Sequence, residues 1–249
     1  MIVYGFDTLE IKVFKSMYLG GAFMNQVVSV IDLGMVNAFL LKGEHLILVD
    51  TGYDNHYDKI LTYLESHHVD PKRIKLIVLT HNHGDHVGNL IRLQRLTGAD
   101  VVIHQDGYEE IASGRQSPAI PTTLTSKVVF GLFGLLTDAK EIAYEPNRVF
   151  SDNFDLEAYG IKGKLLHTPG HTSSSLSVIL ESGDAIVGDM IIGKKKGEAS
   201  VAKLHHIAEN QDSRLNSLSR ILDEGVERIY PSHGVMCSAQ AVRALIENV

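Results

Sequence analysis

The chain has 249 residues, of which 44% are apolar, and a mean hydropathy of +0.03. These values are typical of a soluble globular protein with a sizeable core. The net charge of −7 disfavours broad nucleic-acid binding, which normally requires a basic surface. The single cysteine, Cys237, excludes an intrachain disulfide and favours a reducing compartment, and we expect it to be a small buried apolar side chain.

The N-terminal residues alternate apolar with polar side chains and include acids early, which is typical of a strand and not of a signal peptide. No apolar run approaches the roughly 20 residues that a membrane-spanning helix needs. We therefore expect a cytoplasmic protein without membrane contact.

Short runs rich in valine, isoleucine and leucine predict strands at 9–14, 27–33, 36–41, 46–50 and 74–80, with another at 101–104. An amphipathic helix is predicted at 58–67, and apolar residues at helical spacing predict another between 87 and 96. The second half predicts strands at 164–168, 176–180, 185–188 and 228–230, and helices around 215–222 and at 239–246. The pattern indicates an α/β protein whose two halves are similar in outline.

Residues 113–150 interrupt this pattern with a proline- and threonine-containing stretch and an apolar run at 128–136. The segment is too apolar for a flexible linker. We expect an insertion packed on the core of a single domain that spans 1–249. A lid over the site, a homodimer contact or an extra core helix are the alternatives.

The densest chemical signal is the motif H-x-H-x-D-H, formed by His81, His83, Asp85 and His86. It lies between a predicted strand and a predicted helix, where α/β proteins usually place their sites. In extended chain, His81 and His83 point the same way and can share one metal ion, whereas the other two can serve a second ion. These ligand types suit zinc, and also iron or manganese. The alternative is a helix N-terminus capped by Asp85, with the histidines at the surface.

Three further candidates, His171, Asp189 and His233, each follow a predicted strand beside glycine or proline. Individually such residues are more often turn or capping residues. As a set with the first motif, they supply the number of ligands that a two-metal site needs. Asp50 ends another predicted strand and can accept a hydrogen bond from a ligating histidine, with an ordinary cap or turn as the alternative.

The order of these residues, from Asp50 through the H-x-H-x-D-H motif to His233, resembles the motif set of the metallo-β-lactamase superfamily, in the two-metal hydrolase branch related to glyoxalase II. The resemblance implies an αββα four-layer sandwich of two similar halves with the metals at the edge of the sheets. It also implies a first ion on His81, His83 and His171, and a second ion on Asp85, His86 and His233, with Asp189 bridging both.

The implied activity is hydrolysis of a small ester, thioester, lactone or phosphoester by a metal-bridging hydroxide. Asp85 is expected to act in catalysis as well, by orienting the hydroxide or relaying a proton. Asp189 stands where one major class of similar β-lactamases has cysteine, so lactam hydrolysis is disfavoured as the main activity. Ile192 stands where the similar acyl-homoserine lactonases have tyrosine, which weakens the lactonase alternative but keeps it open. The alternatives are a mononuclear-iron persulfide dioxygenase of the same fold and a non-catalytic metal-binding regulator. The expected partner is a small-molecule substrate, and not nucleic acid.

Two basic segments follow Asp189. Lys194, Lys195 and Lys196 are predicted to lie in a loop near the mouth of the site, where they can attract an anionic substrate group, with a solvated loop as the alternative. We expect His205 and His206 to lie at the surface, with substrate contact as the alternative.

Overall fold

A computed structural model describes residues 27–123, 127, 143–197 and 199–249. The predicted strand at 9–14 and the apolar run at 128–136 lie outside the described residues. No helix in the described ranges is both long and apolar enough to cross a membrane.

The first half forms a six-stranded sheet in the order β1-β2-β3-β4-β5-β6. Its strands are β1 (Val28–Asp32), β2 (Asn37–Lys42), β3 (Leu46–Val49), β4 (Ile74–Val78), β5 (Asp100–His104) and β6 (Arg148–Phe150). The first three strands pair antiparallel and the later ones in parallel. Parallel pairing requires crossover connections, and these contain α1 (Tyr57–Ser66), α2 (Gly84–Val87), α3 (Leu90–Thr97) and α4 (Tyr108–Ala112).

The second half forms another six-stranded sheet, in the order β15-β13-β10-β9-β8-β7. Its strands are β7 (Asn153–Asp155), β8 (Gly163–His167), β9 (Leu176–Leu180), β10 (Asp184–Ile186), β13 (Arg228–Tyr230) and β15 (Cys237–Ser238). A three-stranded sheet joins β11 (Ile191–Lys196), β12 (Ala199–Leu204) and β14 (His233–Gly234). The helices of this half are α5 (Gln211–Asp223) and α6 (Ala239–Glu247).

Three stacked apolar cores produce four layers. Alternate side chains of β3 enter different cores: Leu46 and Leu48 belong to the core that includes residues of α1 and α3, whereas Ile47 and Val49 belong to the core shared with the second sheet. A third core lies between the second sheet and α5 and α6. The αββα sandwich expected from the motifs is therefore confirmed.

Helix α5 packs directly on the turn that precedes His171. Asn210 caps the helix by accepting a hydrogen bond from the backbone N–H of Ser213, at 2.9 Å. Gly170, at φ 142°, has no side chain there, and a Cβ would lie only 2.3 Å from Cα of Arg214. Glycine is needed at this position because any side chain would push the helix away from the site.

Most predicted strands and helices are confirmed within one or two residues. The segment with Lys194, Lys195 and Lys196 was wrongly predicted as a loop, because these residues lie on β11 and pair with β12. The last residues of the 113–150 range form β6 and belong to the first sheet. Cys237 is fully buried, as expected.

Candidate metal centre

The seven predicted ligands converge at one edge of the two large sheets. His81 and His83 follow β4, with Asp85 and His86 on the short helix α2 that comes next. The remaining three follow strands of the second half: His171 comes after β8, Asp189 after β10 and His233 after β13. Strand ends leave backbone groups and side chains free to face a shared cavity, which is why α/β folds place their sites there.

One group, the histidine triad, consists of His81, His83 and His171. Nδ1 of His83 lies 3.0 Å from Nε2 of His81 and 3.1 Å from Nε2 of His171. All three nitrogens lie within 4.8 Å of one another. Tetrahedral coordination at the usual zinc–nitrogen distance of about 2.0–2.1 Å separates ligand nitrogens by about 3.3 Å. The triad therefore fits a single metal ion.

Hydrogen bonds on the outer side of each ring fix which nitrogens hold protons. Nε2 of His83 donates to the carbonyl oxygen of Ser117 at 3.1 Å, and Nδ1 of His171 donates to that of Ile207 at 3.0 Å. Nδ1 of His81 lies 3.1 Å from Oγ1 of Thr80, whose own proton goes to a carboxylate oxygen of Asp50. Because these outer nitrogens are donors, the neutral rings direct three lone pairs at one another. Such an arrangement requires a cation.

The triad stays neutral. Burial lowers the pKa of His81 and of His171 well below the ordinary value, and it also lowers the pKa of His83. Neutral imidazole is the form that binds metal, so at neutral pH an ion entering the triad displaces no proton.

The second group, called the mixed group, consists of Asp85, His86, Asp189 and His233, whose ligand atoms also lie within 4.8 Å of one another. Nε2 of His233 is 3.3 Å from Oδ2 of Asp85 and 3.2 Å from Oδ2 of Asp189. Nε2 of His86 is 3.5 Å from Oδ1 of Asp189, and both atoms are buried without a hydrogen bond of normal geometry in the described structure. Buried polar atoms need a partner, and a second metal ion fits that need.

Asp50 orients His86, which is one of the two roles that the sequence leaves open for it. Oδ2 of Asp50 accepts a hydrogen bond from Nδ1 of His86 at 2.7 Å, and Oδ1 accepts one from the backbone N–H of Thr80 at 2.8 Å. Asp50 occupies the left-handed region, at φ 61°, which asparagine and aspartate tolerate better than most residues. The carboxylate leaves Nε2 of His86 free to bind a metal.

His233 receives its orientation from the first half of the chain. Its Nδ1 donates to the carbonyl oxygen of Met35 at 2.6 Å. Met35 lies in the turn between β1 and β2, so a backbone carbonyl from the first half fixes the last ligand of the second half.

The mixed group is charged, unlike the triad. Burial opposes charge on His233 and His86, but the carboxylates of Asp189 and Asp85 outweigh it, raising the pKa of His233 to about 10 and that of His86 well above the ordinary value. Burial also opposes ionisation of Asp85, but these two imidazoles hold its pKa at about 2. The group therefore has ion pairs wherever no metal is bound.

Asp189 lies between the two groups. Its Oδ2 is 3.2 Å from Nε2 of His233 in the mixed group and 3.7 Å from Nε2 of His171 in the triad. A carboxylate at this place fits the bridging position that the motif order predicts. The alternative in which Asp85 caps a helix and the motif histidines lie at the surface is wrong, because His81, His83 and His86 are buried.

His205 is a site residue that the sequence analysis expects at the surface, with substrate contact only as the alternative. It is only 11% exposed, and its Nε2 lies 3.6 Å from Oδ2 of Asp189. Its ring stacks on that of His233, with centroids 5.2 Å apart. The expected surface position is wrong for His205 and confirmed for His206, which is exposed. Recognition of the β11–β12 hairpin would have indicated that His205 lies near the centre, because His205 directly follows β12.

A cavity of about 460 Å³ adjoins the centre. Its walls come from the segments at 120–123 and 204–214 and include Ile120, Pro121, Leu204, His205 and Glu209. His205 is therefore shared between the cavity wall and the surroundings of Asp189.

A separate group contains His104, Asp106 and His167. The two imidazole rings stack in parallel, 3.5 Å apart. Each donates from Nε2 to a backbone carbonyl oxygen, that of Ser151 or Ser173, at 2.8 Å. Parallel rings direct their lone pairs side by side and not towards one point, so this group suits a metal ion less well than the triad does.

Comparisons with known proteins agree with this geometry. A family model described as the metallo-beta-lactamase superfamily matches residues 31–233. A probable metallo-hydrolase of Methanocaldococcus jannaschii is 28% identical over 200 residues, covering 80% of this chain and 87% of that protein. A β-lactamase-like protein 2 homolog of Caenorhabditis elegans is 30% identical over 200 residues, covering 80% of this chain and 55% of that protein. The chain thus spans little more than half the length of its C. elegans relative.

Among solved structures, a metallo-beta-lactamase family protein of Thermus thermophilus has a TM-score of 0.63 and 25% sequence identity, covering 89% of this chain and 77% of its own. The family model covers most of the chain, and this protein belongs to the metallo-beta-lactamase superfamily.

Proposed function

We propose that the protein is a hydrolase that uses two divalent metal ions on a small ester, thioester, lactone or phosphoester. Zinc is the proposed metal, with iron or manganese as alternatives. Membership of the metallo-beta-lactamase superfamily supports metal-dependent hydrolysis at the level of the family.

The observation that carries the proposal is the orientation of the five imidazole rings. His81, His83, His86, His171 and His233 each direct an outer nitrogen at an acceptor, so each leaves its inner nitrogen to bind a metal. The triad rings present a lone pair there directly, and His86 and His233 do so once each has released a proton. A purely structural cluster has no reason to orient every ring in this way. Two ions held there would lower the pKa of the water they share and polarise a carbonyl or phosphoryl oxygen.

Asp85 is proposed to act on water as well as to bind metal. It is 15% exposed, compared with 3% for Asp189. Its low pKa, about 2, keeps it ionised at neutral pH, so it can accept a hydrogen bond from water and orient that water towards the substrate. The adjoining cavity of about 460 Å³ has a size that suits a small molecule.

The first test is the metal content of protein purified without added metal, followed by hydrolysis assays on representative esters, thioesters, lactones and phosphodiesters. We expect about two zinc or manganese atoms per chain, as a bridged site requires. One iron atom per chain, with oxygen consumption on persulfides, would contradict the proposal and favour the dioxygenase alternative. Two metals without turnover of any substrate class would favour a regulator.

The second test replaces Asp85 with asparagine, with Asp106→Asn as the matched control at a carboxylate that is 44% exposed and outside the centre. Loss of water orientation should reduce kcat by about a hundredfold or more while KM changes little. An equal loss in kcat and in substrate affinity would count against this role for Asp85.

A further inference from the structure

One residue, Ile207, sets the protonation pattern of two histidines in opposite senses through its carbonyl oxygen and its N–H. The carbonyl oxygen of Ile207 accepts a hydrogen bond from Nδ1 of His171 at 3.0 Å. The backbone N–H of the same residue points at Nδ1 of His205, at 3.3 Å. A carbonyl only accepts and an amide N–H only donates, so Nδ1 has a proton in His171 and a lone pair in His205.

The consequence is that His205 differs from every histidine of the metal centre. In the neutral form that binds metal, those rings have their protons on the outer nitrogen and their lone pairs on the inner one. In neutral His205 the proton is on the inner nitrogen, Nε2, which lies 3.6 Å from Oδ2 of Asp189. Coordination through Nε2 would require a proton on Nδ1, and that proton would then face the N–H of Ile207. The hydrogen bond at Nδ1 therefore makes Nε2 of His205 a hydrogen-bond donor and not a metal ligand.

The surrounding structure holds this donor in place. Arg214, itself fully buried, donates to the carbonyl oxygen of His205 at 2.9 Å. The backbone after His205 pairs with residues 121–122. The N–H of Thr122 donates to the carbonyl oxygen of His206 at 2.9 Å, and Pro121 forms an isolated β-bridge with Ile207. A donor whose position is fixed before the substrate arrives needs little reorganisation during the reaction.

We propose that His205 donates a hydrogen bond from Nε2 to the substrate oxygen on which negative charge develops during hydrolysis. The proposal rests on the proposed hydrolytic function. No proton is transferred and no bond is broken at His205; the ring stabilises charge by hydrogen bonding alone. Its place in the wall of the cavity, next to Asp189, puts the donor where a bound substrate meets the metal centre.

The kinetic test compares His205→Ala with His67→Ala, a change at an exposed histidine outside the metal centre and the cavity wall, and with His205→Gln, which keeps an N–H donor. We expect His205→Ala to reduce kcat by about a hundredfold or more, as loss of an oxyanion donor does elsewhere. KM and metal content should change little, His67→Ala should match the unmodified protein, and His205→Gln should recover part of the loss. Unchanged kcat, or a lower metal content in His205→Ala, would overturn the proposal.

Two measurements do not depend on turnover. Nitrogen-15 spectra of the metal-loaded protein should show His205 with its proton on Nε2, whereas a proton on Nδ1 would overturn the proposal. Calorimetry should show that phenylphosphonate, a mimic of a tetrahedral anion, binds about tenfold more weakly to His205→Ala than to His67→Ala, as expected for one lost hydrogen bond. Equal binding would refute the role of His205. If the unmodified protein hydrolyses none of the substrate classes, the proposed function fails, but these two measurements still decide whether His205 is a donor.

Discussion

The histidine triad and the mixed group adjoin one another and share the same residue type, but their electrostatics are opposite. Burial lowers the pKa of each triad imidazole, whereas carboxylates raise the pKa of both imidazoles in the mixed group. The triad is therefore a neutral cavity prepared for a cation, and the mixed group is a set of ion pairs that must release protons before it can bind one. The comparison shows that a histidine becomes a metal ligand through its neighbours as much as through its position.

The largest expected effect comes from removing one ligand of each group. We expect His233→Ala to keep about one ion per chain, bound to the triad, and His171→Ala to lose the triad ion, because only two of the three triad nitrogens would remain. Metal analysis after exhaustive dialysis measures both. His167→Ala is the control, since it reports any ion held by the separate group at His104. Complete loss of metal from His233→Ala would contradict the difference between the groups.

A smaller effect is expected from Asp50→Asn, which removes the negative charge that accepts the hydrogen bond from His86. Asparagine adopts the left-handed backbone conformation of position 50 as readily as aspartate does. Outer hydrogen-bond partners of ligating histidines typically contribute about 10–100-fold to metal affinity, and we expect a loss of that size for the second ion. Competition with a metal-binding dye measures both affinities.

Asp184→Asn is the control for Asp50→Asn, because Asp184 is also a buried carboxylate but pairs with Arg228 away from the centre. If Asp50→Asn weakened the binding of both ions equally, Asp50 would support the two groups alike, through Thr80 as well as through His86.

The smallest effect is a difference in proton release. Near pH 7 the first equivalent of zinc should release almost no protons, because the triad is neutral. The second should release close to two, from His86 and His233, since the pKa of His233 is about 10 and that of His86 is well above its ordinary value. Raising the pH towards 10 should strengthen binding of the second ion, and lowering it should weaken that binding.

Calorimetry in two buffers of different ionisation enthalpy counts these protons at each equivalent. The double variant His86→Ala with His233→Ala is the control, and it should lose the second step while leaving the first unchanged. Equal proton release at both steps would contradict the neutral state of the triad.

The family resemblance implies all seven ligands at the edge of the sheets, and the structure brings them together there. His81, His171 and Asp189 each follow a strand, and strand ends meet at that edge. The division between His81 and His83 on one side and Asp85 and His86 on the other also agrees with the two groups. Alternate residues of an extended chain point to the same side, and the turn after His83 directs the next side chains elsewhere. These two facts were sufficient for that prediction.

The backbone partners that orient the rings could not be predicted. Ser117, Ile207 and Met35 act through backbone carbonyls, which every residue has, so no side chain marks them in the sequence. His205 was missed for a related reason. It is brought to the centre by a hairpin whose first strand ends in exposed lysines, and that composition is typical of a loop.

The contact between His83 and His171 has a mechanical consequence. Their ligand nitrogens lie 3.1 Å apart but 88 residues apart in sequence, and the two residues follow strands of different sheets. An ion held by both would close a long loop, in the way a disulfide does in a secreted protein, and would restrict the unfolded chain. A chain with one cysteine would thus possess a cross-link that does not depend on thiol oxidation. A chelator that removes this ion should therefore weaken the attachment of one sheet to the other as well as abolish metal-dependent activity.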